Sequence, residues 1–190
     1  MTGKTHQVIG QLCGLTSFLH LSHGYAPASL AAVAIVSSLG ALLPDIDSPA
    51  AKIWSYLPFN SGKIGGALVN PFLQHRNLTH SIVGFATVVL VFRRLLEHLP
   101  SYWGIDSQHV LLAGALAYGS HLVADSVTVQ GIPLFFPYQR MFGIPPHPFQ
   151  GLRIETGKWF ENLIVYPSVN LLLIILLVNR WTEIRQLLFH

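Results

Sequence analysis

Long apolar runs, each closed by a polar cluster, set the rhythm of this chain. Four stand out, at 28–43, 81–92, 110–124 and 163–178. Each falls somewhat short of the roughly 20 residues that cross about 30 Å of hydrocarbon, so flanking residues or local thinning make up the difference. A fifth run, 7–21, is interrupted by Gln11, Thr16, Ser17 and His20 and reads as a helix packed inside the bundle. Lipid admits only helices or a closed barrel, because every backbone group must find a partner within the protein. Uninterrupted runs of this length fit helices. The pattern predicts an all-α fold, a polytopic membrane helix bundle of four to five transmembrane helices forming a single domain over residues 1–190. Gly40, Gly84, Gly114 and Gly119 lie inside the runs, where small residues let helices approach closely.

Successive crossings alternate in direction, and this decides which helix ends meet. If the first helix starts on face A, the second returns to A, the third leaves it, the fourth returns and the fifth leaves again. His6 then lies on A at the start of the first helix. Asp45 and Asp47 follow the second, His75 and His80 precede the third, and His121 and Asp125 close the fourth. Seven candidate metal ligands from four helix ends converge on one face. His23, His98 and His109 fall on the other face. His147 reads as a loop histidine on side A, and Glu155 and Glu161 as solvated acids there.

Composition supports a membrane setting. The 190 residues are 51% hydrophobic and 10% charged, where a soluble domain carries about 25% charged residues. The net charge of +3 forms no basic stripe and excludes nucleic acid as an expected partner. A single cysteine, Cys13, excludes an internal disulfide and a cysteine-rich zinc site. The N-terminal stretch does not read as a removable signal peptide. Lysines and arginines number seven on face A (Lys4, Lys52, Lys63, Arg76, Arg140, Arg153, Lys158) and four on face B, which predicts a cytoplasmic face A.

His121 and Asp125 are four apart, so one helical face carries both. Asp45 and Asp47 follow Pro44, which disfavours a continuing helix and lets both carboxylates point the same way. His75 is out of phase with His80; it is expected on the loop, with Asn77 or Thr79 capping the helix that carries His80. Any one of these pieces alone reads as a buried pair, a turn or an interfacial loop. Together they suit a divalent metal, zinc first, with manganese or iron as alternatives, and seven ligands allow one or two ions. Asp45 or Asp47 is a candidate general base, and Arg76 and Arg140 are candidates to clamp an anionic group. The aromatic and proline-rich stretch 131–149 reads either as a re-entrant roof over the site or as a hydrophobic connector.

The blocks Thr5–His6, LLPDID (42–47), HRNLTHS (75–81) and SHLVADSVTVQGIPLFFP (120–137) together resemble the YdjM-like family of bacterial inner-membrane metal-dependent hydrolases. Asn77 stands where members often have glycine, and the segment after Asp125 departs from their usual pattern. The resemblance implies a multi-helix inner-membrane protein and singles out His6, Asp45, Asp47, His75, His80, His121 and Asp125. The expected function is hydrolysis at the bilayer surface, of a phosphoester or lipid-linked substrate. The rival class is non-enzymatic, a structural metal cluster or an ion carrier. Carrier sites usually sit near the midplane at broken helices, whereas these ligands sit at helix ends. The expected partner is the lipid bilayer, with oligomeric state left open.

Overall fold

The computed structural model describes residues 1–21, 26–48, 51–56, 78–100, 103–138 and 140–189. Its α-helices are α1 (Gly3–Leu21), α2 (Pro27–Gly40), α3 (Ile82–Glu97), α4 (Ser107–Ser126), α5 (Tyr166–Asn179) and α6 (Trp181–Phe189). Two 3-10 turns, Leu43–Asp47 and Lys52–Tyr56, follow α2, and a π turn, Glu161–Val165, runs directly into α5. Among the described residues no strand forms; two isolated bridges, Thr128 with Ile154 and Ile132 with Phe142, tie the loop after α4.

Local chemistry explains the helix boundaries. Pro27 opens α2 at a position where its missing N–H costs nothing. The Asp106 side chain caps α4 by accepting from the N–H groups of Gln108 and His109 at 2.9 and 3.0 Å. Ser81 caps α3 by accepting from Gly84 N at 3.1 Å. Ser81 thus takes the capping position expected of Thr79, Asn77 lies outside the described residues, and His80 sits on the turn ahead of α3 rather than on the helix.

Helices α1 and α4 form the centre. Helix α4 packs against α1, α2 and α3, while α1 also contacts α2 and α5. At one end of the bundle Phe18, Val33, Val110 and Ala113 make a closed apolar core, joined by Ile184 of α6. At the other, Tyr118 and Leu122 pack with Ile132 from the loop after α4. The outer faces stay apolar: Ile35, Leu90, Leu112, Leu172 and Ile174 are all exposed. Such a surface suits hydrocarbon rather than water. Among the described helices, Glu161–Asn179 alone is long and apolar enough to cross a membrane by length and composition.

The seam between α1 and α2 is built from small residues. A Cβ at Gly14 would stand 1.9 Å from Ser37 Oγ, and one at Gly10 would stand 2.4 Å from Ala41 Cβ. Glycines four apart let the two backbones approach. Gly14→Val is therefore expected to lower stability by about 1–3 kcal/mol through overpacking. Thermal unfolding in detergent measures this, and Ser37→Gly in the same chain should restore part of the loss.

Candidate metal centre

Five of the predicted ligands meet at the end of the bundle where α1 and α3 begin and α2 and α4 end. His6 comes from the first turns of α1, Asp45 from the 3-10 turn after α2, His80 from the turn before α3, and His121 and Asp125 from the last turns of α4. The three imidazoles are fully buried and Asp125 is 1% exposed. The Asp45 side chain, 23% exposed, is the accessible member of the group. The side chain of Asp47, together with His75 and Arg76, lies outside the described residues.

His80 Nε2 and His121 Nε2 stand 3.3 Å apart. Asp45 Oδ1 is 3.4 Å from His80 Nε2 and 3.7 Å from His121 Nε2. Asp125 Oδ2 is 3.8 and 3.7 Å from the same two nitrogens. Two nitrogens bound at 2.0–2.1 Å to one tetrahedral zinc lie about 3.3–3.4 Å from each other. The observed spacings therefore fit the edges of a tetrahedral donor set, slightly expanded. His6 lies alongside, its ring stacked on His121 with centroids 3.7 Å apart and planes 15° from parallel. Its Nε2 faces Asp125 Oδ1 at 3.0 Å, and its Nδ1 is buried without a hydrogen-bond partner. The His6–Asp45–His121 and His80–His121–Asp125 groups can each hold a metal ion.

Supporting contacts aim the donors. His121 Nδ1–H donates to Ala41 O at 2.7 Å, which leaves the Nε2 lone pair directed into the site. His80 Nδ1 lies 3.1 Å from Thr79 Oγ1, and Tyr118 donates its hydroxyl to Thr79 O at 2.6 Å, holding the turn down. Gly84 is required beneath it, because a Cβ there would stand 2.0 Å from Leu78 O. Burial alone would raise the Asp45 carboxyl. The hydrogen bond from His80 and favourable electrostatics with the surrounding imidazoles outweigh burial and lower it to about 2. Asp45 is thus an anion throughout the neutral range, as a metal ligand must be.

A family model described as YdjM inner membrane protein matches residues 1–186. The chain belongs to this family. Membership places it in the inner membrane. The uncharacterized protein YvsG of Bacillus subtilis is 30% identical over 165 residues, 87% of this chain and 88% of that protein. Inner membrane protein YdjM of Escherichia coli is 33% identical over 107 residues, 56% of this chain and 50% of that protein. The Shigella flexneri protein of the same name gives the same values. The match thus spans half the length of these two YdjM proteins and most of YvsG. No solved structure matches the chain.

Within this family member the remaining candidates are sorted by position. Arg140 is exposed and rests over the Tyr138 ring, 5.7 Å from its centroid. Arg153 is engaged elsewhere, donating to Pro145 O at 2.8 Å and Gly143 O at 3.0 Å. His109 pairs with Asp106 at the opposite end of α4, about 18 Å along the helix from His121. His147 is exposed. From the stretch 131–149, Ile132 and Leu134 reach the rim of the site, Leu134 O accepting from Ile82 N at 3.0 Å and Ile132 being buried. The solvated reading of Glu161 is overturned. That side chain is fully buried. It accepts from Thr2 N, Thr2 Oγ1, Thr5 Oγ1 and Gly157 N at 2.6–2.7 Å. Glu155 is exposed, as expected. The amino group of Met1 also enters the centre, against Asp125 Oδ1.

Proposed function

We propose that this chain is a membrane-bound metal-dependent hydrolase, one domain with four to five crossings and its site on the cytoplasmic face. The observation that carries this reading is the convergence of His80, His121 and Asp125 with spacings suited to three corners of one tetrahedral ion, with the accessible Asp45 carboxylate beside the fourth. Zinc is the best match to this imidazole and carboxylate set, and the group His6, Asp45 and His121 offers an alternative or adjoining position for an ion. A divalent ion held here supplies Lewis acidity, enough to make water a nucleophile near neutral pH. His80, His121 and Asp125 hold the ion. Asp45, accessible and anionic, orients the incoming water and takes its proton. A phosphoester or lipid-linked ester at the bilayer surface suits a site that opens at a helix end.

Complete burial of the three imidazoles favours one competing reading, a structural metal with no open position. Metal content of the protein purified in detergent, with hydrolysis of a panel of phosphoesters, separates the two. Wild type is expected to carry zinc and to hydrolyse at least one phosphoester, and His80→Ala to lose both. Hydrolysis that survives metal loss supports the structural reading, and a metal-free wild type sinks both.

A further inference from the structure

A groove of about 360 Å³ runs between α2 and α3, with α4 as its floor. Such a volume lies within the usual range for small-molecule sites. Leu39 and Leu43 form one wall, Val88, Val91 and Phe92 the other, and Gly114 lies beneath. The two hydroxyls that border it are both turned to backbone. Thr87 donates to Val83 O at 2.8 Å, and Tyr118 donates to Thr79 O at 2.6 Å. Its lining therefore offers apolar contact only.

We propose that this groove holds the alkyl chain of a membrane lipid whose polar head lies at Asp45, making the substrate a long-chain amphiphile. The inference rests on the hydrolase reading for the head and on the groove itself for the chain. Two observations commit it to a lipid chain. The mouth is continuous with outward-facing apolar residues, Ile35 and Leu39 on α2 and Leu90, Val91 and Leu95 on α3, all exposed. For an inner-membrane protein these face hydrocarbon, so a chain enters sideways without meeting water. The inner end is formed by Leu43, two residues before Asp45, and by Tyr118, which holds the turn carrying His80. Asp45 is also the accessible member of the centre. A second apolar cavity, about 590 Å³, ends against Met1 and Ala124. There Asp125 is 1% exposed, so a head group in that cavity meets no open ligand.

The test is photolabelling of the full chain in phospholipid nanodiscs. One probe is hexadecyl phosphate with a diazirine at mid-chain, and the other a neutral-headed monoacylglycerol with the same photoreactive chain. Labelled peptides are mapped by mass spectrometry, and metal content is measured on the same preparation. Both probes should label the α2 and α3 peptides around Leu39 and Val91. Unlabelled hexadecyl phosphate should compete, while butyl phosphate and inorganic phosphate should not displace the neutral probe. The double variant Leu39→Trp, Val91→Trp fills the groove and is expected to cut this labelling about tenfold with metal retained. Leu172→Trp on the outer face of α5 should leave it unchanged. Labelling spread evenly over the exposed helix faces, or unmoved by the double variant, overturns the groove. Selective labelling by both probes in a protein without metal instead overturns the hydrolase reading and leaves the chain site standing.

Discussion

Asp125→Asn is expected to remove nearly all bound metal and all metal-dependent hydrolysis, and to destabilise the protein more than any other single change at the centre. The two oxygens of Asp125 serve different partners. Oδ1 faces the Met1 amino group and His6 Nε2, while Oδ2 faces His80 and His121. Asparagine keeps the shape but removes the negative charge that faces His6, His80 and His121. Breaking a buried pair by neutralising one partner costs about 3–5 kcal/mol. The amide also presents N–H donors toward imidazole nitrogens that must themselves stay unprotonated to bind metal. Metal analysis and thermal unfolding of the variant check both consequences. Retention of metal with an unchanged melting temperature would remove Asp125 from the centre.

The same comparison at Asp45 separates ligand from base. Asp45 and Asp125 stand at similar distances from His80 and His121, but the Asp45 side chain is 23% exposed where that of Asp125 is 2%. Asp45→Asn is expected to retain more metal than Asp125→Asn while losing hydrolysis to a similar degree. Equal metal loss in both variants would make Asp45 a ligand first and shift the proton acceptor elsewhere.

Much of the centre was legible because it depends on two simple periodicities. The i, i+4 spacing of His121 and Asp125 puts both on one side of α4 wherever that helix lies. Alternation of helix direction along the chain brings Asp45, His80 and His6 to the same end without any knowledge of packing. What escaped was information carried by contacts distant in sequence. The apolar pattern began α1 at residue 7, but the helix begins at Gly3. Thr5 and His6 look like a polar lead-in and are in fact buried by residues more than 100 positions away. Gly10 and Gly14 were hidden in an ordinary run, since nothing local marks Ser37 and Ala41 as their neighbours. Helix α6 carries too little apolar length to announce itself, yet Ile184 closes the core at the far end. Glu161 looked like a solvated acid beside the last long apolar run, because its partners Thr2 and Thr5 lie 159 and 156 residues away.

Glu161→Gln is expected to weaken metal binding by about 10–100-fold, although Glu161 touches none of the proposed ligands. Its Oε1 accepts three hydrogen bonds, from Thr2 N, Thr2 Oγ1 and Thr5 Oγ1, and its Oε2 accepts a fourth from Gly157 N. A carboxylate can accept all four, whereas a glutamine must turn an NH₂ toward one of these sets of donors. Each buried donor left without an acceptor costs about 1–3 kcal/mol. The loss is transmitted along the backbone. Thr2 O accepts from Thr5 N at 2.9 Å and from His6 N at 3.1 Å, so Glu161 anchors the turn that carries His6. Once Thr2 is released, that turn frays and His6 drifts from its stacked position on His121. Gly14→Val provides the contrast, since it loosens the seam between α1 and α2 two turns away from His6. If Glu161 acts by positioning, its variant loses metal affinity out of proportion to its fall in melting temperature, and Gly14→Val does the reverse. Thr5→Ser, which keeps the hydroxyl, should bind metal as wild type does while Thr5→Val follows Glu161→Gln. A parallel loss of stability and affinity across all of these variants would reduce Glu161 to an ordinary buried anchor.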